Sequence, residues 1–354
     1  MTNSEILPQE PLDHKAVHPI LFSFLIMPFG ISQGFIAVTL GYILSQAGIS
    51  VDKIAALVAL ALLPHILKFI WAPLVDTTLS FKKWYILGNC VSAFGLLLLG
   101  VIPIKSESLP ILSIAVFLSQ FAVTFLCMAT EGLMAYDVPA ALKGRASGFL
   151  QAGNLGGSGL GGGLGLLLST RLPSPWMVTG FLALLCLFCI YSLKYFKNVK
   201  VIIKEVKSYN LFQNLGLDIW SAIKTKGGIL ALILCFLTLG TGAASNLWSA
   251  IAKDWHASSD TVALVTGIAG GLISAVGCLI GGFICDRMKP QNAYVIFGLL
   301  GAITAVGMAY SPRTEIMFIL WTSIYAVVVG LSYAGSTAFI LEAIGKGAAA
   351  TKYN

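Results

Sequence analysis

The chain has 354 residues, 57% of them hydrophobic and only 10% charged, with a formal net charge of +7. A soluble domain carries roughly 25% charged residues, so this composition excludes a water-soluble globule and requires lipid as solvent. In lipid every backbone polar group must be paired internally, which leaves a helix bundle or a closed barrel; apolar runs of about 20 residues without strict alternation select the bundle.

The N-terminal stretch MTNSEILPQEPLDHKAVHP is polar and partly acidic. It lacks the basic start, short apolar core and small-residue cleavage site of a secretory signal, so the first apolar run is expected to persist as a membrane helix. Ten spans follow, near 19–46, 54–75, 84–104, 109–136, 146–169, 175–196, 228–252, 261–285, 291–311 and 314–341. Each is long enough to cross a hydrocarbon core of about 30 Å. With the N-terminus in the cytoplasm, 16 Lys and Arg residues fall inside and 5 outside, leaving Lys68 within the membrane. That asymmetry satisfies the positive-inside rule and accounts for the basic balance without a nucleic-acid partner.

The spans carry few polar residues, and each has competing roles. Gln33 lies in the first. In the second, Lys68 sits eight residues before Asp76, about 12 Å deeper at helical rise, with His65 on the same face at i−3. Lys68 either holds an anionic substrate group or a buried carboxylate, or it snorkels to the headgroups; its depth and the adjacent histidine favour the first role. In the fourth span Glu131 lies about 9 Å from the helix end at Asp137. A carboxyl in low dielectric can take up and carry a proton, or it can form a structural ion pair; Lys68 is an available partner in either case. Gln120, Gln151, Asn154 and Asn246 are further polar candidates, each also suited to a plain helix–helix hydrogen bond. Trp248 and Tyr333 offer an aromatic wall.

The fifth span, QAGNLGGSGLGGGLGLLL, contains Gly157, Gly159 and Gly162 at the spacing of a dinucleotide-binding loop. That reading needs a preceding strand and an acid about 20 residues on, and the nearest acid beyond Gly162 is Glu205. Gly153, Gly157, Gly161 and Gly165 instead recur at i+4 as one bare stripe, which allows a neighbouring helix to approach closely. Seven cysteines, Cys90, Cys127, Cys186, Cys189, Cys235, Cys278 and Cys285, lie within or at the ends of apolar runs and read as small packing residues. The Cys186–Cys189 pair has no second pair or histidine cluster to make a metal site. No nucleophile elbow, H-E-x-x-H or Walker sequence is present, so neither an enzyme nor a cofactor is expected.

Residues 197–227 form a basic, partly amphipathic segment, either a linker along the membrane surface or a solvated connector. On both sides of it the sequence echoes itself. APLVDTTLSFKKWYILG (72–88) and GFICDRMKPQNAYVIFG (282–298) each place an acid, Asp76 or Asp286, twelve residues before a glycine, at an offset of 210. DVPAALKGRASGF (137–149) echoes EAIGKGAAATKY (342–353) in the same order. The expected organisation is a first half over 1–196, the linker over 197–227 and a second half over 228–354. In the second half no spans follow the second echo, so the sequence is expected to be a piece of a twelve-helix protein.

The repeated loop, with Asp76, Lys82 and Lys83 in one copy and Asp286 and Arg287 in the other, resembles the signature of the major facilitator superfamily, here without the usual glycine before the acid. LKFIWAPLVD (67–76) and DVPAALKGRASGFLQAG (137–153) more closely resemble the branch of AmpG-type muropeptide permeases and acetyl-CoA transporters. The resemblance implies an all-α bundle of two six-helix halves that gate through those loops, alternating access and a bacterial plasma-membrane location. It also implies a small polar, anionic substrate, muropeptide-like, carried with protons by a monomer. That branch places a lysine before its aromatic-Ala-Pro step, as Lys68 stands here. Its fourth span carries two acids four residues apart; Glu131 matches the second, and Cys127 occupies the first. Asn154 stands where the branch has an arginine. In the superfamily, helices one, five and seven line the cavity, which would bring Gln33, Gln151 and Asn246 to it. These departures leave open a non-transporting sensor or scaffold of the same fold.

Overall fold

The structure, a computed structural model, describes residues 17–196, 224, 229, 248–266 and 268–344. The 197–227 linker apart from Lys224, Asn246, Cys235 and most of the span expected at 228–252 lie outside the described residues. Those described form an all-α bundle. Six helices come first: α1 (Ile20–Gln46), α2 (Val51–Ile70), α3 (Phe81–Val101), α4 (Leu109–Asp137), α5 (143–169) and α6 (Pro175–Tyr195). After the linker come α7 (Trp248–Ile251), a short helix Ser259–Thr266, α8 (Ile268–Cys285), α9 (Pro290–Tyr310) and α10 (Glu315–Ile344). Seven described helices are long and apolar enough to cross a membrane, and α8 adds a shorter apolar one over Ala269–Cys285.

Local chemistry sets the helix ends. α1 stops at Gly48, whose φ of +76° suits glycine alone; the Ile49 N–H returns to the Leu44 carbonyl at 3.1 Å and closes a Schellman turn. Ser80 caps α3, its Oγ accepting from the Lys83 N–H at 3.4 Å. This cap draws Phe81, Lys82 and Lys83 into the first turn, so α3 starts three residues earlier than the span expected at 84–104. It also ends earlier, because Pro103 pushes Ile102 to an extended ψ of 125°. Pro175 opens α6 in the first turn, where its missing N–H costs nothing.

α2 departs from a straight helix. Pro73 has no N–H to donate and would clash with the carbonyl four residues back in a continuous helix. The chain therefore tightens to a 3-10 turn over Lys68–Ile70, breaks at Trp71 and restarts as Ala72–Thr77. Lys68 and Asp76 thus lie on different helical segments, and the depth obtained from uniform helical rise does not apply.

α5 is the axis of the bundle. It is continuous through 143–169 but absent from the seven apolar helices, because its ten glycines dilute the apolar content. Two glycine faces let it lie against α1 and α8 at once. On the first, Gly153 abuts the Ser23 carbonyl and Gly161 the Ile31 carbonyl. A Cβ at Gly157 would sit 2.6 Å from the Met27 carbonyl oxygen, and one at Gly165 2.7 Å from Thr39 Oγ1. On the second face, a Cβ at Gly148 would lie 2.6 Å from the Cys278 carbonyl oxygen and one at Gly271 3.2 Å from Gly159 Cα. α8 in turn meets α10, where a Cβ at Gly281 would lie 3.0 Å from Leu331 Cα.

Hydroxyls fasten α1 to α5. Ser23 Oγ donates to the Phe149 carbonyl at 2.6 Å, and Thr39 Oγ1 reaches the carbonyls of Gly161 and Gly162 at 3.0 and 2.9 Å. Those carbonyls belong to a π-turn over Leu160–Leu164, and Thr39 itself lies in a π-turn over Phe35–Leu40. Such turns shift the backbone bonding register, so a side chain from the neighbouring helix can serve as a donor there.

Candidate functional site

The break at Trp71 and a polar stripe along α4 create the site. Gln120, Thr124, Cys127 and Glu131 recur on one face of α4 at i+3 and i+4 spacings, and all four are buried. α2 and the break at its end supply partners for Gln120, Thr124 and Glu131. His65 Nε2 and Gln120 Oε1 are 2.9 Å apart, and Gln120 Nε2 donates to Ser32 Oγ of α1 at 2.7 Å. Gln120 thus bridges the His65 ring and the Ser32 hydroxyl. The edge of Phe29 packs on the same ring, with centroids 5.1 Å apart. Trp71, turned by the helix break, donates its indole N–H to Thr124 Oγ1 at 2.9 Å, and Thr124 donates to the Phe121 carbonyl at 2.7 Å.

Lys68, between His65 and Trp71 in sequence, holds its Nζ 3.6 Å from Oε1 of Glu131, further along α4. Charge-assisted bonds in a closed pair run about 2.7–2.9 Å, so this pair is loosely held. Its members differ in access: the Lys68 side chain is 22% exposed and that of Glu131 6%. The Cys127 thiol donates to the same Oε1 at 3.3 Å. At an effective dielectric of about 20, unit charges at this separation attract by roughly 4–5 kcal/mol before desolvation is subtracted.

A second polar site lies where α5, α8 and α10 converge. The Asp286 carboxylate receives the Arg145 guanidinium Nε–H and, at 3.1 Å, the Arg145 backbone N–H. Arg145 also lies over the Phe283 ring at 5.7 Å. Lys143 Nζ donates to the Leu341 carbonyl at 3.1 Å. Further along α5, Gln151 Nε2 donates to Thr337 Oγ1 of α10 at 2.8 Å, and Asn154 Nδ2 to Gln151 Oε1 at 3.1 Å. These contacts join the first six helices to the last ones. Removing the charge should loosen them: Asp286→Asn is expected to raise maleimide labelling of Cys285, now 5% exposed, several-fold in detergent. Unchanged labelling would show that the pair does not hold this end shut.

The sequence-derived candidates are thus distributed over two places. Lys68, Glu131 and His65 meet on the α2–α4 seam. Gln151 and Asn154 meet on the α5–α10 seam. Gln33 is half-buried on α1 with no hydrogen-bond partner among the described residues. Asp76 is buried at 2% exposure near the end of its short helix, Lys82 is half-buried, and Lys83 and Arg287 are exposed. Asp286 pairs with Arg145 from another helix, not with its sequence neighbour Arg287. Arg145, Trp71, Thr124 and Thr337 were not among the expected site residues. Their partners lie 53 to 186 residues away, so no local signal marked them. Among the described residues no three His, Cys, Asp or Glu side chains gather as a metal ligand set.

Membrane-long helices around a glycine-lined axis, with a charged pair enclosed between them, define a transporter of the secondary type. Residues 22–353 match the Major Facilitator Superfamily, and the chain belongs to that family, whose members are transporters and not enzymes. A solved structure with a similar fold is that of the proton:xylose symporter XylE bound to 6-bromo-6-deoxy-D-glucose. The two share 15% identity at a TM-score of 0.63, over 95% of this chain and 86% of that one. At that identity the likeness speaks for the fold.

Proposed function

We propose that this transporter carries a small polar anionic metabolite, with an anhydro-muropeptide as the favoured cargo, in symport with protons. The observation that carries the reading is the Lys68–Glu131 pair, which places a cation among membrane helices. The Lys68 ammonium attracts an anionic group and repels a cationic one. The muropeptide preference rests on the resemblance of LKFIWAPLVD and DVPAALKGRASGFLQAG to that branch of permeases. Proton symport rests on Glu131 beside the substrate cation, and the similar fold of XylE is that of a proton symporter. Transport proceeds by rocking of two halves, 1–196 and 228–354, about α5, α8 and their neighbours. Arg145–Asp286 and Gln151–Thr337 break and re-form as one end opens. The protein works as a monomer in a bacterial plasma membrane with its N-terminus in the cytoplasm.

Purified full-length protein in proteoliposomes tests this. Radiolabelled anhydro-muropeptide is expected to accumulate against its gradient when the outside is acidified, and an uncoupler is expected to abolish accumulation. Uncoupler-resistant accumulation would remove protons from the mechanism. A complete lack of uptake in either direction would favour a non-transporting sensor, a role for which Cys127 in place of an acid already argues.

A further inference from the structure

We infer that a cleft between the first turns of α1 and the last turns of α6 binds one anionic phospholipid, with an acyl chain in the cleft and the phosphate on Lys194. The site lies on a different seam from Lys68 and Glu131, and the inference does not depend on the cargo.

The winding of α6 builds the cleft. Its last seven residues, Cys189–Tyr195, form a 3-10 helix, which has three residues per turn. Side chains three apart therefore stand in columns along the helix. Phe188, Tyr191 and Lys194 make one column, and Cys189, Ser192 and Tyr195 the next. Leu21 and Phe24 of α1 form the other wall, and the cleft between them holds about 170 Å³. Its polar side chains are turned to their own helix: Cys189 Sγ donates to the Leu185 carbonyl at 3.3 Å, and Ser192 Oγ to the Cys189 carbonyl at 2.6 Å. What remains for a guest is hydrocarbon and ring surface. An apolar cavity of about 150 Å³ holds a benzene-sized molecule, so this one takes a stretch of several methylenes.

The rim sets the headgroup. Lys194 Nζ lies over the Tyr191 ring, 5.7 Å from its centroid, which holds the ammonium at the end of the first column. Lys194 is exposed and pairs with no acid among the described residues. Phe24, Phe188, Tyr191 and Tyr195 are exposed as well. In a membrane protein such a face meets lipid, and tyrosines gather where the chains meet the headgroups. The sequence continues into Lys197, Lys200, Lys204 and Lys207, and basic residues beside a membrane helix draw anionic lipid to that end. An apolar cleft ending in an unpaired ammonium matches a phospholipid in both its parts, chain and phosphate. An apolar helix from a protein partner would fill the cleft and leave the ammonium without an anion.

Native mass spectrometry of the full-length protein tests this. The protein is delipidated and then given phosphatidylglycerol or phosphatidylcholine with identical chains; the choline of the second offsets its phosphate charge. The wild type is expected to keep one phosphatidylglycerol, with about fivefold higher affinity than for phosphatidylcholine, the effect of one lysine near the headgroup. Lys194→Ala is expected to bind the two lipids equally, and Lys194→Arg to keep the preference. Leu21→Trp, which narrows the cleft with the ammonium in place, is expected to lose the retained lipid. Equal affinities in the wild type would overturn the site and leave ordinary annular lipid. A preference that survives Lys194→Ala would overturn it by placing the phosphate on other residues, and one that survives Leu21→Trp by taking the chain out of the cleft. A dimer that excludes lipid would overturn it by giving the cleft to a second copy. The wild-type comparison needs no variant, and Lys194 is exposed, so its replacement leaves the packed interior untouched.

Discussion

Gly157→Leu is expected to abolish transport and to reduce the folded protein recovered as a single monodisperse peak. A Cβ at this position already falls 2.6 Å from the Met27 carbonyl oxygen, whereas ordinary van der Waals contact begins at 3.4 Å. The obstacle is backbone, so no rotamer change relieves it, and α1 and α5 have to part. Extra methylenes forced into a packed interior cost about 1–3 kcal/mol each time the backbone yields, against a total stability of roughly 5–15 kcal/mol. Separation of the helices would also strand the Thr39 hydroxyl that serves the π-turn carbonyls of Gly161 and Gly162. Gly156→Ala is the control: its Cβ would meet only the Ala275 methyl, at 3.9 Å. Size-exclusion profiles and uptake rates of the two variants check the claim, and normal transport by Gly157→Leu would refute close packing as the reason for the stripe.

Lys68→Ala is expected to lower uptake by at least about 100-fold, the effect of losing the charge that receives the substrate. It should also destabilise the fold, because Glu131 loses its cation; breaking a buried pair by removing one member costs roughly 3–5 kcal/mol. The double variant Lys68→Ala/Glu131→Gln separates the two effects. Neutral at both positions, it should recover most of the lost thermal stability and none of the transport. Recovery of both would make the pair a structural clamp, and transport by Lys68→Ala alone would move the substrate site away from α2.

Parts of this were legible in the residues. A lysine and a glutamate set in apolar runs are so costly singly that each had to find a partner or a task, and Lys68 and Glu131 were each other's available choice. The glycine period of four was equally plain, since nothing else places Gly153, Gly157, Gly161 and Gly165 in one line. Other features could not be read. Trp71 and Thr124 are 53 residues apart, and Arg145 and Asp286 are 141 apart; nothing local in either sequence marks the other. Pro73 was visible, but its consequence was not: whether a membrane helix kinks or breaks at proline depends on what neighbouring helices offer the freed groups. At Trp71 the break leaves the indole N–H to donate to the Thr124 hydroxyl of α4. The second glycine face of α5 was hidden for a related reason. Gly144, Gly148 and Gly159 have no regular period, and they make sense only against α8.

By itself the sequence determined that this protein lives in lipid, that it is helical, roughly where its helices run and which polar residues had to be accounted for. These follow from local properties, hydropathy and backbone satisfaction, which add residue by residue along the chain. The tertiary structure decided which of those polar residues meet. It paired Lys68 with Glu131, gave Asp286 to Arg145 and laid α5 between α1 and α8. Partnership depends on the rotation and placement of whole helices against one another, and those are settled by the joint packing of all their faces at once.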